Sequence, residues 1–342
     1  MSPTMSLPVT ARYELANDLH ICPLLNGMWQ VSGAHGPIDP EAAVETMLRQ
    51  HDAGFTTWDL ADHYGPAEDF IGEFRRRLLQ TRGEAALAQS LAFTKWVPQP
   101  GAMSRTTVRR AIARSFQRMG VEVIDLLQFH WWDYANEAYL DALGHLNEMR
   151  EDGLIRHLAL TNFDTLHLKR IIEHGIPIVS NQVQYSLIDR RPEVAMADLC
   201  RKHGVGLLTY GTLCGGLLSA RSLSQPEPTA RQLTMASLRK YKQMIDAWGG
   251  WSIFQELLQA LKPIAARHGV SIANLATRFT LDRPAVAGVI VGVRLGVADH
   301  HEENARVFDF QMEQQDLESI EAVLSKGRDL YRAIGDCGDE YR

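Results

Sequence analysis

The 342-residue sequence has few cysteines and no pattern among them that would indicate a disulfide framework or a metal centre. Its four cysteines are Cys22, Cys200, Cys214 and Cys337, and they form neither a C-x-x-C pair nor a zinc-like spacing. Disulfides are not expected in a chain of this length and cysteine content, so the sequence favours a reducing compartment.

Long hydrophobic runs and excess positive charge are also missing. No run of about 18 apolar residues indicates a membrane span, and residues 1–10 lack the cationic start and apolar stretch of a signal peptide. The net charge is -6 and the pI is about 6.1, which argues against general binding to nucleic acid or membrane surfaces. With 45% hydrophobic and 22% charged residues, the composition is that of a globular protein with a sizeable core. We expect a cytoplasmic protein.

Apolar strands alternate with amphipathic helices along most of the chain, after a short hairpin predicted at 11–21. The predicted strands are 21–27, 56–61, 91–97, 124–131, 155–162, 179–185, 206–211 and 288–293. The predicted helices are 40–53, 67–79, 106–119, 139–151, 165–173, 193–203 and 253–268, with two more after the last strand at 302–307 and 315–326. Asp39-Pro40 and Ser104 are predicted helix starts.

This alternation predicts an α/β fold in which eight parallel strands close a (β/α)8 TIM barrel, with an N-terminal β-hairpin and extra C-terminal helices. We expect residues 1–342 to form one domain. An open doubly wound sheet is the alternative, but no strand is followed by a G-x-G-x-x-G helix start. The polar segment 212–250 is predicted to be a long loop insertion over the active-site face, and the tail from Gly335 is predicted to be frayed.

Four proton-handling side chains fall at or just beyond three consecutive strand ends. They are Asp59 and Tyr64 after the second strand, Lys95 in the third and His130 in the fourth. Each alone is more typical of a cap, a packed aromatic or a core histidine. In a barrel the carboxyl ends of the strands converge, so the four are predicted to form one site.

Together these groups suit reduction of a carbonyl. A phenol is a weak acid at neutral pH, and a lysine cation held by an aspartate stabilises its anion. A neutral histidine can direct a carbonyl oxygen toward the phenol. No side chain supplies a hydride, so a reduced nicotinamide is required.

The sequence resembles the aldo-keto reductase family over nearly its whole length. The motif Asp59-x-Ala61-x-x-Tyr64-Gly65, with Thr94-Lys95 and Phe129-His130, matches the family's catalytic set. The potassium-channel β-subunit-like branch is a nearer match than the aldose reductase branch. The resemblance implies that Tyr64 is the general acid, that Lys95 and Asp59 activate it, and that His130 orients the substrate.

The resemblance also implies a binding site for NADP(H), with NAD(H) as the less favoured cofactor. Thr161, Asn162 and Gln182 resemble the residues that hold the nicotinamide carboxamide, and Tyr210 resembles the aromatic on which the ring stacks. Arg294 resembles a partner for the 2′-phosphate. The remaining implied cofactor residues are Gly27, Met28, Trp29, Asp59, Gly211, Thr212, Leu213, Gly215, Arg221, Gly292, His300, Glu303 and Asn304.

Two positions depart from the family pattern. Gly211-Thr212 replaces the Ser-Pro of many relatives, and His300 stands where Arg or Gln is usual. Trp29, Trp96 and Trp131 are predicted to line an apolar substrate pocket. No metal is expected, because the adjacent His300 and His301 are poorly placed to share one ion.

Two other functions remain open. A Schiff-base aldolase is suggested by Lys95 on a barrel strand, and a nucleotide-binding regulatory or redox-sensing subunit by the likeness to channel β subunits. For the leading hypothesis the partner is a small carbonyl or alcohol substrate. The identity of that substrate and the oligomeric state do not follow from the sequence.

Overall fold

In the computed structural model, residues 7–8, 11–33 and 36–342 are described. Most of the segment 1–10, where no signal peptide is expected, lies outside them. The described chain begins with an antiparallel hairpin formed by β1 (Tyr13–Ala16) and β2 (Leu19–Ile21). The predicted hairpin is therefore confirmed.

Within the described residues, eight parallel strands close into a barrel. They are β3 (Leu24–Gly27), β4 (Thr57–Asp59), β5 (Leu91–Trp96), β6 (Ile124–His130), β7 (Ile155–Thr161), β8 (Ile178–Gln184), β9 (Gly206–Tyr210) and β10 (Val286–Gly292). Each pairs with its neighbours in chain order, and β10 pairs with β3 to complete the ring. The predicted TIM barrel is confirmed. The open doubly wound sheet is excluded because a closed ring has no edge strands.

The hairpin covers one end of the barrel. Leu15, Leu19 and Ile21 pack in one apolar cluster with Leu91 at the start of β5 and Ala287 near the start of β10. The amino-terminal ends of the strands are therefore closed to solvent, and the chemistry is left to the carboxyl-terminal ends.

Helices surround the barrel and extend beyond it. They are α1 (Pro40–Asp52), α2 (Ala67–Arg82), α3 (Glu84–Leu87), α4 (Arg105–Met119), α5 (Tyr139–Glu151), α6 (Thr165–Glu173), α7 (Met196–His203), α8 (Ala236–Trp248), α9 (Trp251–His268), α10 (Ile272–Leu281), α11 (His301–Ala305), α12 (Gln314–Leu324) and α13 (Leu330–Ile334). In the part of the chain that the structure describes, none of these helices has the length and apolar character needed to cross a membrane.

The predicted helix starts are confirmed by their capping bonds. Asp39 accepts a hydrogen bond from the Ala42 amide at 2.8 Å, with Pro40 in the first helical position. Ser104 caps α4 by accepting from the Thr107 amide at 3.2 Å. Both side chains satisfy amides that the first helical turn leaves without a partner in the helix.

Several stretches differ from the sequence-based expectation. The segment 212–250 contains α8, whose apolar face of Tyr241, Met244, Ile245 and Trp248 packs on the C-terminal helices. Helix α10 lies at 272–281, for which no element is predicted. The tail from Gly335 is packed against the barrel mouth, contrary to the expected fraying, and its contacts belong to the site described next.

Candidate active site

A cavity of about 590 Å³ lies at the carboxyl-terminal mouth of the barrel. Its lining includes Asp59, Tyr64, Lys95 and His130, the four predicted catalytic residues. The same cavity is lined by every predicted cofactor residue except Met28, which is fully buried in an apolar cluster with Val31 and Val44. The fold thus brings residues from 27 to 304 into one continuous space.

Asp59 and Lys95 form a buried ion pair at the base of this cavity. Lys95 Nζ donates to the two carboxylate oxygens of Asp59 at 2.8 and 2.7 Å and to the Leu60 carbonyl at 3.0 Å. The side chains are only 2% and 4% exposed for Lys95 and Asp59. Burial lowers the pKa of Lys95, and the adjacent Asp59 opposes that shift. Three acceptors around one ammonium favour the protonated form, which disfavours the free amine that a Schiff-base aldolase needs.

Two glutamines complete the shell of Asp59. Gln128 Nε2 donates to Asp59 Oδ1 at 2.9 Å, and Gln182 Nε2 donates to the same oxygen at 2.7 Å. Gln182 Nε2 also lies 2.7 Å from Gln128 Oε1. Asp59 therefore has charged and neutral donors together, which is how a carboxylate is accommodated away from water.

Tyr64 lies on the loop between β4 and α2, above the ion pair. Lys95 Nζ is 5.2 Å from the centre of the Tyr64 ring. Burial raises the pKa of Tyr64 well above its ordinary value, and the Asp59 charge adds to that shift. The shift is opposite to the one expected from the Lys95 cation, because burial of the phenol dominates it. Tyr64 therefore carries its proton at neutral pH, as a general acid must.

His130 ends β6 on the other side of the cavity. Burial, with the Arg342 charge adding to it, lowers the pKa of His130 to about 3, so the imidazole is neutral. Its Nε2 is buried and has no hydrogen-bond partner among the described residues. A neutral ring nitrogen that lines a cavity without a protein partner is available to a ligand oxygen.

The predicted nicotinamide end lies beside this group. Asn162 has a left-handed backbone, with φ of 58°, and Tyr210 donates from its hydroxyl to Asn162 Oδ1 at 2.7 Å. The Thr161 Oγ1 atom is buried and without a partner among the described residues. These polar atoms, next to the Tyr210 ring, match what an amide-bearing aromatic ring would require.

The glycines after β9 are required by the packing of α8. A Cβ at Gly211, where φ is 78°, would lie 2.7 Å from Tyr241 Cε1, and one at Gly215, where φ is 67°, would lie 2.9 Å from Tyr241 Cδ2. Helix α8 therefore lies directly on the loop whose residues 211–215 are implied to bind the cofactor. This contact explains the glycines without any ligand, and it also brings the helix against the cavity.

The predicted tryptophans divide into two groups. Trp29 lines the cavity. Trp96 and Trp131 do not; Trp96 packs 5.5 Å from Phe129, and Trp131 is fully buried with its Nε1 donating to the Asp133 carbonyl at 2.6 Å. Trp132 lines the cavity instead, with its ring centre 4.1 Å from that of His130. Strand β6 ends at His130, so strand alternation does not extend to Trp132 and no local pattern marked this residue.

The C-terminal tail closes part of the mouth. Arg191 is 1% exposed and pairs with Asp189 and with Glu340 of the tail, each at 2.8 Å. Burial opposes ionisation of Glu340, but the Arg191 charge keeps the pKa of Glu340 below its ordinary value. Tyr341 lines the cavity, with its ring centre 5.6 Å from that of Trp132. No sequence pattern pointed to this contribution.

The tail also touches the predicted nicotinamide end. Arg342 Nη2 donates to the Asn162 carbonyl at 2.6 Å, and the Tyr210 hydroxyl lies 3.1 Å from Glu340 Oε1. Lys240 on α8 donates to the Tyr341 hydroxyl and lies 4.9 Å from the centre of the Tyr210 ring. The mouth is thus built from elements far apart in the chain.

Comparison with known proteins places this barrel in a family. The model of the aldo/keto reductase family matches residues 23–325. Flagellar radial spoke protein 5 of Chlamydomonas reinhardtii is 30% identical over 257 residues, which cover 65% of this chain and 49% of that protein. The match thus spans about half the length of that relative.

Two further related proteins are matched over more of their own length. The NADH-specific methylglyoxal reductase of Escherichia coli (strain K12) is 23% identical over 291 residues, covering 78% of this chain and 84% of that protein. The solved structure of the glycerol dehydrogenase from Gluconobacter oxydans has a TM-score of 0.77 at 20% identity, covering 96% of this chain and 98% of that one, which is a likeness of fold. The family match over residues 23–325 decides the assignment: the chain belongs to the aldo/keto reductase family of nicotinamide-dependent oxidoreductases.

Proposed function

We propose that this chain is an NADP(H)-dependent oxidoreductase that reduces an aldehyde or ketone to an alcohol, or catalyses the reverse reaction, with Tyr64 as general acid. The observation that carries the proposal is the grouping of a protonated Tyr64, a buried Asp59–Lys95 ion pair and an unpartnered His130 Nε2 around one cavity. Tyr64 keeps its proton and the His130 imidazole is neutral at neutral pH, as carbonyl reduction needs.

The cofactor fits the residues present. Thr161 Oγ1 is a buried polar atom without a protein partner among the described residues, and the side chains of Asn162 and Gln182 lie beside it in the cavity lining. These three would hold the carboxamide, with Tyr210 under the ring. When bound, the reduced nicotinamide supplies the hydride.

The protein side of the reaction is proton delivery. His130 Nε2 orients the substrate carbonyl oxygen toward Tyr64. The Tyr64 hydroxyl then donates its proton to that oxygen. With the hydride that the bound cofactor would supply to the carbonyl carbon, the product is an alcohol. Lys95 stabilises the phenolate left on Tyr64, and Asp59 holds Lys95 in place. The phenolate regains a proton from solvent before the next cycle.

We further propose NADP(H) over NAD(H), because Arg294 lines the far end of the cavity and resembles the family's partner for a 2′-phosphate. His300, Glu303 and Asn304 line the same end. The related methylglyoxal reductase is named as NADH-specific, so the preference of this chain for NADPH or NADH has to be tested by kinetics with each cofactor. We expect a higher kcat/KM with NADPH than with NADH for the same carbonyl substrate.

The decisive experiment replaces the general acid. Tyr64→Phe removes one hydroxyl, and we expect turnover to fall by about 10²–10⁴-fold across a panel of aldehydes, ketones and sugars, while NADPH still quenches tryptophan fluorescence. Tyr13→Phe, an exposed tyrosine on the hairpin, is the matched control and should retain parent activity. Near-parent turnover by Tyr64→Phe on every substrate that the parent accepts would contradict the role of Tyr64.

A second candidate is a nucleotide-binding regulatory or redox-sensing subunit with weak reductase activity. It is favoured by the match to radial spoke protein 5, whose name describes a component of an assembly, and by the proposed nearness to the potassium-channel β-subunit-like branch. Negligible turnover on the whole panel, with tight NADPH binding and a stable complex in size-exclusion chromatography, would favour this candidate over the reductase.

A further inference from the structure

Arg118 reaches from the outer ring of helices to the loop that carries Tyr64. It lies in the last turn of α4, and its guanidinium donates to the Asp62 carbonyl at 3.0 Å and to the Gly65 carbonyl. These two carbonyls precede and follow Tyr64 in the chain. One side chain thus fixes both sides of the short segment that presents the phenol.

The same guanidinium is anchored at the start of α2. Arg118 Nη1 lies 3.1 Å from Glu68 Oε2, and Nη2 lies 2.9 Å from Asp69 Oδ2. Glu68 is 1% exposed and accepts from the Thr94 hydroxyl at 2.7 Å. Thr94 directly precedes Lys95 on β5. The chain of contacts therefore joins the Tyr64 loop, the first turn of α2 and the strand that carries Lys95.

The helix packing at this point is unusually close. A Cβ at Gly72 on α2 would collide with the carbonyl oxygen of Arg118. Glycine at 72 therefore lets the end of α4 approach α2 closely enough for Arg118 to reach over it to the loop. Gly65 adopts φ of 54°, a left-handed conformation, and its carbonyl is one of the two that Arg118 holds.

We propose that Arg118 is a positioning residue for the reaction, which acts by holding Tyr64 over Lys95 and toward the substrate oxygen. This inference rests on the proposed function of Tyr64. A guanidinium suits the task because its planar donors bind several acceptors at once, whereas the single ammonium of lysine cannot span both carbonyls and both carboxylates. Without that restraint the loop can shift, and a displacement of about 1 Å at a reacting group lowers the rate by about 10²-fold.

The test compares Arg118→Lys with Arg114→Lys, an exposed arginine one turn earlier on the same helix. Lysine keeps the charge opposite Glu68, so Arg118→Lys is expected to fold. Arg118→Met is a second variant, which removes that charge as well as the hydrogen bonds. For Arg118→Lys we expect kcat to fall by about 10–100-fold with the NADPH dissociation constant within about twofold of the parent value.

A kinetic isotope effect separates positioning from loss of folded enzyme. With NADPH deuterated at the transferred hydrogen, the isotope effect on kcat should rise in Arg118→Lys, because the chemical step becomes slower relative to product release. Misfolding lowers the number of active sites and leaves the isotope effect at the parent value. Arg114→Lys should match the parent in kcat and isotope effect.

Three outcomes overturn the inference: parent-like kcat in Arg118→Lys, a lower kcat with an unchanged isotope effect, or an equal change in Arg114→Lys. Tyr64→Phe is measured alongside. If Tyr64→Phe is inactive and Arg118→Lys behaves like the parent, the positioning role of Arg118 is refuted and the proposed function of Tyr64 stands. If Tyr64→Phe remains active, the proposed function itself fails.

Discussion

Replacement of Lys95 by methionine is predicted to destabilise the protein far more than the loss of one surface ion pair. Lys95 is 2% exposed, and its ammonium has two contacts with Asp59 and one with the Leu60 carbonyl. Methionine fills a similar volume but supplies no charge. The carboxylate of Asp59 would then stay buried, with Gln128 and Gln182 as its remaining donors among the residues that the structure describes.

The magnitude follows from this geometry. Breaking a buried ion pair by removing one partner costs about 3–5 kcal/mol of folding free energy, because the remaining charge is uncompensated. The two amide donors that remain on Asp59 place Lys95→Met near the lower end, at about 3 kcal/mol. Asp59→Asn should cost a similar amount, since it leaves the Lys95 ammonium with neutral acceptors alone.

The double variant measures the interaction energy of the ion pair separately from the cost of each single substitution. Asp59→Asn combined with Lys95→Met removes both charges, and the amide introduced in place of the carboxylate retains an oxygen for the two glutamines. We expect the double variant to lie within about 2 kcal/mol of the parent, because a buried ion pair contributes little net stability relative to neutral groups of similar size. The summed single costs should therefore exceed the double cost by about 4 kcal/mol or more.

The assay is urea denaturation followed by the fluorescence of the seven tryptophans, with the free energy of unfolding extrapolated to water. The matched control is the exposed pair Arg82–Asp52, whose atoms approach to 2.8 Å and whose side chains are 42% and 40% exposed. The corresponding cycle there should give a coupling of about 0–1 kcal/mol. Additive costs for Asp59 and Lys95, within about 0.5 kcal/mol, would refute the reasoning.

Two further predictions concern the opposite side of the cavity. The pKa of His130 is about 3 in the folded protein and 6.5 ordinarily. Between these two pH values the unfolded chain binds a proton that the folded chain excludes. The free energy of unfolding therefore decreases as the pH falls through this window, by up to about 1.4 kcal/mol per pH unit. His130→Gln should flatten the fall in urea stability between pH 6 and pH 4, and a pH dependence identical to that of the parent would contradict the burial argument. Glu340→Gln removes the carboxylate that pairs with Arg191, so the backbone amides of Tyr341 and Arg342 should exchange hydrogen faster than in the parent or in Glu318→Gln, an exposed control on α12. Equal exchange rates would show that this ion pair does not hold the tail.

The barrel and the grouping of the catalytic candidates follow from local patterns. Alternating strands and helices lead to a closed parallel ring, and the ring brings Asp59, Lys95 and His130 together because all three stand at or near the carboxyl ends of adjacent strands. The helix starts at Asp39 and Ser104 could also be predicted from local sequence, because each capping side chain accepts a hydrogen bond from an amide only three residues away.

Other features depend on contacts between residues far apart in the chain. Trp131 and Trp132 are adjacent in sequence, yet of the two Trp132 lines the cavity, because Trp131 packs in the core against Phe129. The direction of the pKa shift of Tyr64 depends on how deeply the fold buries the phenol and on how close it brings the Asp59 charge, and no local pattern gives either.

The sequence by itself thus determined the fold class through periodicity and the four candidate catalytic residues through their position at or near strand ends. Its resemblance to the aldo-keto reductase family implied most of the residues that line the cavity. Only the tertiary structure decided that Arg118 holds the Tyr64 loop, that α8 lies on the glycines at 211 and 215, and that the tail from Gly335 closes the mouth. The physical reason is separation along the chain: Glu340 meets Arg191 and Arg118 meets Asp62 only after the barrel has closed, so no local pattern encodes either contact.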